Sequence, residues 1–372
     1  MKKFAQCLLI AMLLTGLTGC KDKINIEDIT MALLYGIDID EQGEVNIYMA
    51  SPVFSKEAKE KNEQFKVKSL SIKEASDFID SRATGITAGG KVQTVLIGRK
   101  LIDYKDWYSI LDLFYRDPRM RLNADIVFVN GPVSDVIEFS PKNKPRLSIF
   151  IPQLIKTANF RNVSVRTSLR NYYSMNSEKG ITPFAPELTL KDNFLEISGT
   201  TLLNNQNQYR RTLSLKETLL LKILRANSEG QLSMWLKAKQ HKKNENTISK
   251  EKISFYIMDI KRNVKKKYKD GKYEFNINLK LPVAITESPI NLNDNSQGKL
   301  KKEIEKELQK ELNIFVKSLQ NDKLDPIGLG LFARSFKYSE WKKVEDNWAG
   351  AFQQSKIKVK VKIILVDKGI TM

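Results

Sequence analysis

Apolar positions along this chain fall into short alternating runs and a few helical stripes, and each half contains both kinds. Alternation in "MALLYGIDIDEQGEVNIYMASPVF" predicts two strands around the polar turn Asp40 to Gly43. "NEQFKVKSLSI" predicts another, and Ser71 with Glu74 is a capping-box signature opening a helix that carries Ala75, Phe78, Ile79 and Ala83 on one face. Beyond Gly89-Gly90, "VQTVLIG" reads as a strand. In "DYKDWYSILDLFYRDP" the residues Tyr104, Trp107, Tyr108, Leu111, Phe114 and Tyr115 recur at helical spacing, a stripe expected in the core, and Pro118 marks its end. "ADIVFVNG" is expected to be a buried strand. From Pro141 to Pro186 the pattern weakens, because Pro141, Pro145, Pro152, Pro183 and Pro186 interrupt short apolar pieces.

The second half resumes with a strand, "NFLEISGTTLL", and a helix, "LKETLLLKILRA". "ISFYIMDIKRNVKKKYKDGKYEFNINLKLPVAI" predicts two strands joined through Lys269 to Lys272. The clearest helix is "LKKEIEKELQKELNIFVKSL", where Leu300, Ile304, Leu308, Leu312, Phe315 and Leu319 step along one face. Trp341 and Trp348, seven apart, are expected on one face of a later helix, as core anchors or as an exposed docking pair. The closing "KIKVKVKIILV" alternates strictly and predicts a strand. There is no repeat of 20 to 50 residues and no regular βαβ alternation. The class is therefore α+β, multi-domain, with mixed sheets and helices. We expect an N-terminal α+β domain over residues 20–190 and a basic α+β region over 191–372 with room for two subdomains.

The first residues change the picture. Lys2 and Lys3 precede an apolar run from Cys7 to Leu17, followed by the small Thr18 and Gly19, which is the layout of a signal peptide over residues 1–19. That run is too short for a bilayer core, which needs about 20 residues. "LTGC" resembles a lipoprotein lipobox, which implies a diacylglycerol thioether and an N-acyl chain on Cys20 and makes the body a lipid-anchored ectodomain. Two or more acyl chains, at about 0.8 kcal/mol per buried methylene, hold where one is marginal. An ordinary signal peptide with a chance cysteine is the alternative. Loss of the leader removes Cys7 and leaves Cys20 as the one cysteine, so no internal disulfide can form.

Charge is unevenly placed. The chain carries a net +19, yet residues 20–200 hold 25 Lys+Arg against 24 Asp+Glu, so nearly all the excess lies beyond. An exported, anchored protein meets anionic phospholipid and wall polymer before nucleic acid, and we expect no nucleic-acid partner. Alternation places Lys356, Lys358, Lys360 and Lys362 in a row on one side of the last strand. Such a row is either a solvated face that discourages edge pairing or a surface for an anionic membrane or acidic loops.

Catalytic signatures are missing from the sequence. His241 is the single histidine, in the basic stretch "AKQHKKNEN", so a His-based triad or multi-His metal site cannot be assembled. No P-loop, G-x-G-x-x-G or G-x-S-x-G occurs. We expect no enzyme activity, no cofactor, no metal and no catalytic residue. In "YRDPRMR", Arg119 and Arg121 read as surface charges or as a clamp on a partner carboxylate. In "DPIGLGLF", Asp325 and Pro326 start a turn and Gly328 and Gly330 permit positive φ or close backbone approach.

The lipobox, "LLYGIDIDEQG", "LDLFYRDPRMRLNADIVFVNG", "ISGTTLL" and "DPIGLGLFARSFKYSEWKKVEDNWAGAFQQSKIKVKVKIILVDKGIT" together, and in this order, resemble the Ger(x)C family, the C-subunit lipoproteins of spore germinant receptors. The resemblance covers essentially the whole mature chain. It implies a three-domain α+β ectodomain without a catalytic site, on the outer face of the spore inner membrane, assembled with integral-membrane A and B subunits to support nutrient-triggered germination. The hairpin "GTTLLNNQNQYRRTL" departs from the family pattern in its two arginines. Two other classes fit an anchored protein of this size. One is the substrate-binding lipoprotein of a transporter, which expects two lobes of repeated βαβ units, and the other is a wall-modifying enzyme.

Overall fold

A computed structural model describes residues 25, 28–237, 252–288 and 294–366, so Cys20 and His241 lie outside the described residues. The first part runs β1 (Ile29–Met31), β2 (Leu34–Ile39), β3 (Val45–Pro52), β4 (Asn62–Lys68), α1 (Ile72–Asp80), β5 (Ile86–Ala88), β6 (Thr94–Gly98), α2 (Asp112–Arg116), β7 (Asp125–Val129), α3 (Val133–Glu138), α4 (Leu147–Phe160), α5 (Leu169–Ser177), β8 (Phe184–Lys191), β9 (Phe194–Leu203) and β10 (Tyr209–Leu213). Eight of these strands form one sheet in the order β10-β9-β8-β7-β6-β2-β3-β4. The central β8, β7, β6 and β2 are parallel, and antiparallel strands flank them on both sides. β2, β6 and β7 are buried along their whole length, as parallel strands covered on both faces must be. On one face, Tyr35, Ile37, Ile97 and Phe128 pack against Ile79, Phe114 and Tyr172. On the other, Leu34, Leu96 and Val127 meet Val133 and Ile151.

The expected hairpin is made by β2 and β3, with Ile37 opposite Ile47. The Ser71 hydroxyl caps α1 by accepting from Glu74 N at 3.4 Å; Ala75 and Ile79 are buried as expected, but Phe78 is exposed. The Pro141 to Pro186 stretch, where the pattern lapses, holds the two helices α4 and α5, and Pro152 sits inside α4. The aromatic stripe forms not one helix but a 3-10 turn, Trp107–Leu111, running into α2. Trp107, Leu111 and Phe114 are buried, whereas Tyr104 is exposed. A division at residue 190 falls inside the β8–β9 hairpin, and β9 and β10 complete the first sheet.

The second part continues with α6 (Leu215–Arg225), β11 (Leu232–Lys237), β12 (Lys252–Ile257), β13 (Lys261–Lys269), β14 (Lys272–Glu287), α7 (Asp294–Asn321), α8 (Leu329–Phe336), α9 (Tyr338–Lys342), α10 (Trp348–Gln354) and β15 (Lys356–Leu365). Where two strands were expected between Ile253 and Ile285 there are three, because β12 and β13 lie end to end along the long β14. β15 pairs with β14 in parallel. The inner face of this sheet, including Phe275, Ile277, Leu279, Val359 and Ile363, packs on the stripe of α7 formed by Leu300, Ile304, Leu308, Leu312, Phe315 and Leu319. α6 enters the same core with a complete capping box between Ser214 and Glu217. Arg211 of β10 ties the two parts together, pairing with Glu217 and, at 2.6 Å, with Asp322 of the chain just beyond α7.

Candidate functional site

The outward face of the second sheet concentrates the charge that the sequence carries in its basic half. Lys356, Lys358, Lys360 and Lys362 are all exposed on β15 while Val359 and Ile363 are buried, so the strand alternates as its sequence predicts. Register extends the row into a plateau. Lys356 lies opposite Glu274, Lys358 opposite Asn276, Lys360 opposite Asn278 and Lys362 opposite Lys280. β13 continues these rows, with Lys267 opposite Glu274, Lys265 opposite Asn276, Asn263 opposite Asn278 and Lys261 opposite Lys280. Lys269 and Lys272 close the turn. Of "KRNVKKKYK" the odd-numbered positions face outward. Lys266 turns to the other side, 5.7 Å from the centre of the Phe332 ring.

Across three strands, lysines stand about 6.6 Å apart along a strand and about 4.8 Å between strands. The carboxylate within these rows is Glu274, which pairs with Lys356 at 3.1 Å. The row Lys261–Lys280–Lys362 sets like charges directly opposite one another, an arrangement that destabilises a sheet. Edge protection does not account for it. The outer backbone edge of β15 is already covered, because Glu305, Gln309 and Asn313 of α7 accept from the N–H groups of Ile363, Val361 and Val359. What remains is a cationic surface open to solvent. Its central asparagines and the third strand were legible only once register was known.

The other singled-out motifs are built into the fold. Asp117 and Arg119 close on each other within their own turn at 2.8 Å. Asp325 is buried, and its carboxylate accepts from Gly328 N, Gly330 N and Trp348 Nε1, each at 2.9 Å. Gly328 has φ +81, and a Cβ on Gly330 would come within 2.5 Å of Gly180 Cα, so both glycines are required by geometry. Trp341 and Trp348 are buried with ring centres 5.2 Å apart, but they sit on two short helices separated by a 3-10 turn rather than on one. In the variant hairpin, Asn207 accepts from Trp107 Nε1 through its carbonyl at 2.6 Å and from Tyr172 OH through its side chain at 2.8 Å. Among the described residues, no three His, Cys, Asp or Glu side chains gather in a way that could hold a metal ion, and no helix is long and apolar enough to cross a membrane.

Comparison with known proteins follows the same outline. The family described as spore germination protein N-terminal domain matches residues 22–190, and the family described as spore germination B3/GerAC like, C-terminal, matches residues 198–369. The chain is 21% identical to spore germination protein B3 of Bacillus subtilis (strain 168) over 387 residues, covering 99% of each. It is 23% identical to spore germination protein A3 of the same strain over 410 residues, covering 99% of this chain and 98% of that one. It is 19% identical to spore germination protein GerQC of Bacillus cereus, covering 98% and 99%. The crystal structure of the GerBC protein superposes with a TM-score of 0.60 at 19% identity, over 92% of this chain and 100% of that one, which establishes a shared fold.

Proposed function

The chain belongs to the GerAC-like spore germination family, and on that premise we propose that it is the non-catalytic lipoprotein C subunit of a nutrient germinant receptor, required for nutrient-triggered germination. In this reading Cys20 carries the lipid that holds the body to the outer face of the membrane, the spore inner membrane. Integral-membrane A and B subunits are its partners. The observation that carries the proposal is the ordered match of both family domains along nearly the whole chain, directly after a lipobox. The cationic plateau around Lys356, Lys358, Lys360 and Lys362 supports it further, since a tethered body meets anionic lipid head groups and acidic membrane-protein loops at short range. Each lysine near such a surface contributes about 1 kcal/mol, within a Debye length of roughly 8 to 10 Å.

Affinity purification of the tagged, lipidated chain from spore membranes tests this reading. Two polytopic membrane proteins are expected to co-purify, and spores lacking the chain should stop responding to one class of nutrient. Recovery of an ATPase and a permease instead, with germination intact, would assign the chain to a transporter.

A further inference from the structure

Among the described residues, two arginines at the junction of the two sheets form no ion pair with a carboxylate. Arg225, the last residue of α6, donates Nη1 to the Pro326 carbonyl at 2.5 Å, and its guanidinium lies 5.1 Å from the centre of the Phe184 ring. Arg262 of β13 donates Nη1 to the Leu224 carbonyl at 2.8 Å and lies 5.2 Å from the Phe332 ring. Neighbouring arginines are treated differently. Arg166 pairs with Asp125 at 2.8 Å and Arg334 with Glu178 at 2.7 Å. Burial pulls both Arg225 and Arg262 below the ordinary arginine range, and the positive charge of Arg262 adds to the effect on Arg225.

The two guanidiniums border a cleft with two lobes. One lobe, of about 350 Å³, is lined by Lys222, Arg225, Ile181 and Phe184 among others. The second, of about 320 Å³, is lined by Arg225, Arg262, Ile181, Ile327, Leu331 and Phe332. Arg225, Ile181 and Leu331 are common to both. Lys222 also lines the first lobe, as do the ion-paired Arg166 and Arg334, but its ammonium is occupied by Asn159 O, Asn159 Oδ1 and Asn162 Oδ1 at 3.0, 2.7 and 3.2 Å. Three acidic groups stand nearby. Glu178 and Glu229 line the first lobe, Glu178 paired with Arg334, and Asp325 acts on Arg225 through space while its oxygens serve Gly328, Gly330 and Trp348. Positive charge therefore prevails at the two arginines.

A guanidinium offers five N–H donors in a planar fork that fits the paired oxygens of a carboxylate or phosphate. Charges drawn out of water are costly unless paired, and here two half-buried forks each give one N–H to a neutral carbonyl. We propose that the cleft binds a small organic oxyanion, with Arg225 and Arg262 holding its charged group and Ile181, Leu331 and Phe332 receiving its apolar remainder. This site is separate from the cationic plateau and does not depend on the receptor reading.

The test uses the chain from residue 20 onward, with Cys20→Ser to keep it free of lipid. Propionate and methyl phosphate are titrated at constant ionic strength against chloride, and the arginine Nε–H signals are followed by NMR. The expected result is a saturable shift of the Arg225 and Arg262 signals, with affinity at least 10-fold weaker in Arg225→Gln and in Arg262→Gln. The tighter of the two probes identifies the oxyanion as carboxylate or phosphate. Without a probe, both variants should melt close to the parent, since each trades a half-buried charge against one hydrogen bond to a backbone carbonyl. Absence of a saturable shift, or equal binding by the variants, overturns the proposal. So do variants that melt several degrees lower before any probe is added, because the arginines would then be structural.

Discussion

The side-chain amide of Asn313 and the backbone of Val359 exchange two hydrogen bonds: Nδ2 donates to the Val359 carbonyl at 3.0 Å, and Val359 N donates to Oδ1 at 3.0 Å. Asn313 thus stands in for a neighbouring strand at the open edge of β15. Gln309 and Glu305 repeat the contact for Val361 N at 3.2 Å and Ile363 N at 2.8 Å. The repeat works because four residues of helix rise about 6.0 Å while two residues of strand rise about 6.6 Å, so successive side chains meet successive outward N–H groups. A helix that buries its apolar stripe under the sheet also closes the sheet's edge, where unpaired backbone groups invite another chain.

Replacing Asn313 by Leu keeps the bulk and removes both bonds, leaving a partly buried N–H and C=O without partners. At about 1 to 3 kcal/mol for unsatisfied groups of this kind, the variant should lose roughly 2 kcal/mol in urea unfolding and self-associate more readily. An unchanged unfolding midpoint would show that water replaces the amide at no cost.

The lysine plateau gives the second prediction. Changing Lys356, Lys358, Lys360 and Lys362 together to Gln retains the strand and its buried Val359 and Ile363. Like-charge repulsion falls, so the variant should be no less stable than the parent. Binding of the unlipidated chain to vesicles rich in anionic lipid should drop at low salt and show little further loss at high salt. Equal binding by parent and variant at low salt would reduce the plateau to a solvated face.

Much of this architecture could be read from residue patterns, and the lapses have physical causes. The β2–β3 hairpin, β7, α6, α7 and β15 each satisfy both local propensity and burial, so a single period identifies them. α4 was hidden because a proline normally stops a helix, and Pro152, the sixth residue of α4, forgoes the backbone bond to Ser148 that a continuous helix would make. Phe78 kept the helical period of α1 yet stayed exposed, since spacing says which residues share a face and not how wide the contact is. The lysine row of β15 was visible, but its continuation through Lys280 and Lys261 depends on register between segments far apart in sequence. The unpaired Arg225 and Arg262 were invisible for the same reason: an arginine is informative only when its surroundings show that no carboxylate accompanies it.

The anchor yields a third prediction. Cys20→Ala should abolish diacylglyceryl transfer and the cleavage that follows it, leaving a longer, unlipidated precursor. Labelled fatty acid provides the measurement, and equal incorporation into parent and variant would rule out Cys20 as the attachment point.

A final prediction concerns Lys222, which is 4% exposed and whose ammonium meets only neutral oxygens. Burial lowers its pKa from the ordinary 10.5 to about 8. Below pH 8 both folded and unfolded chains hold the proton, and the full cost of burying the charge is present. Between pH 8 and about 10.5 the unfolded chain still holds a proton that the folded chain has released, so this residue makes stability rise with pH across that window. Above it both forms are neutral and the cost is gone. Lys222→Met removes the titration along with three hydrogen bonds, whose loss lowers stability by an amount that changes little with pH. The parent and variant should therefore diverge as pH rises from 8 to 10.5, the parent gaining relative to the variant, while every other lysine and tyrosine titrates in both and cancels. Unfolding free energies measured at half-unit steps supply the comparison, and two parallel curves would mean that Lys222 keeps its proton throughout, held by Asn159 and Asn162.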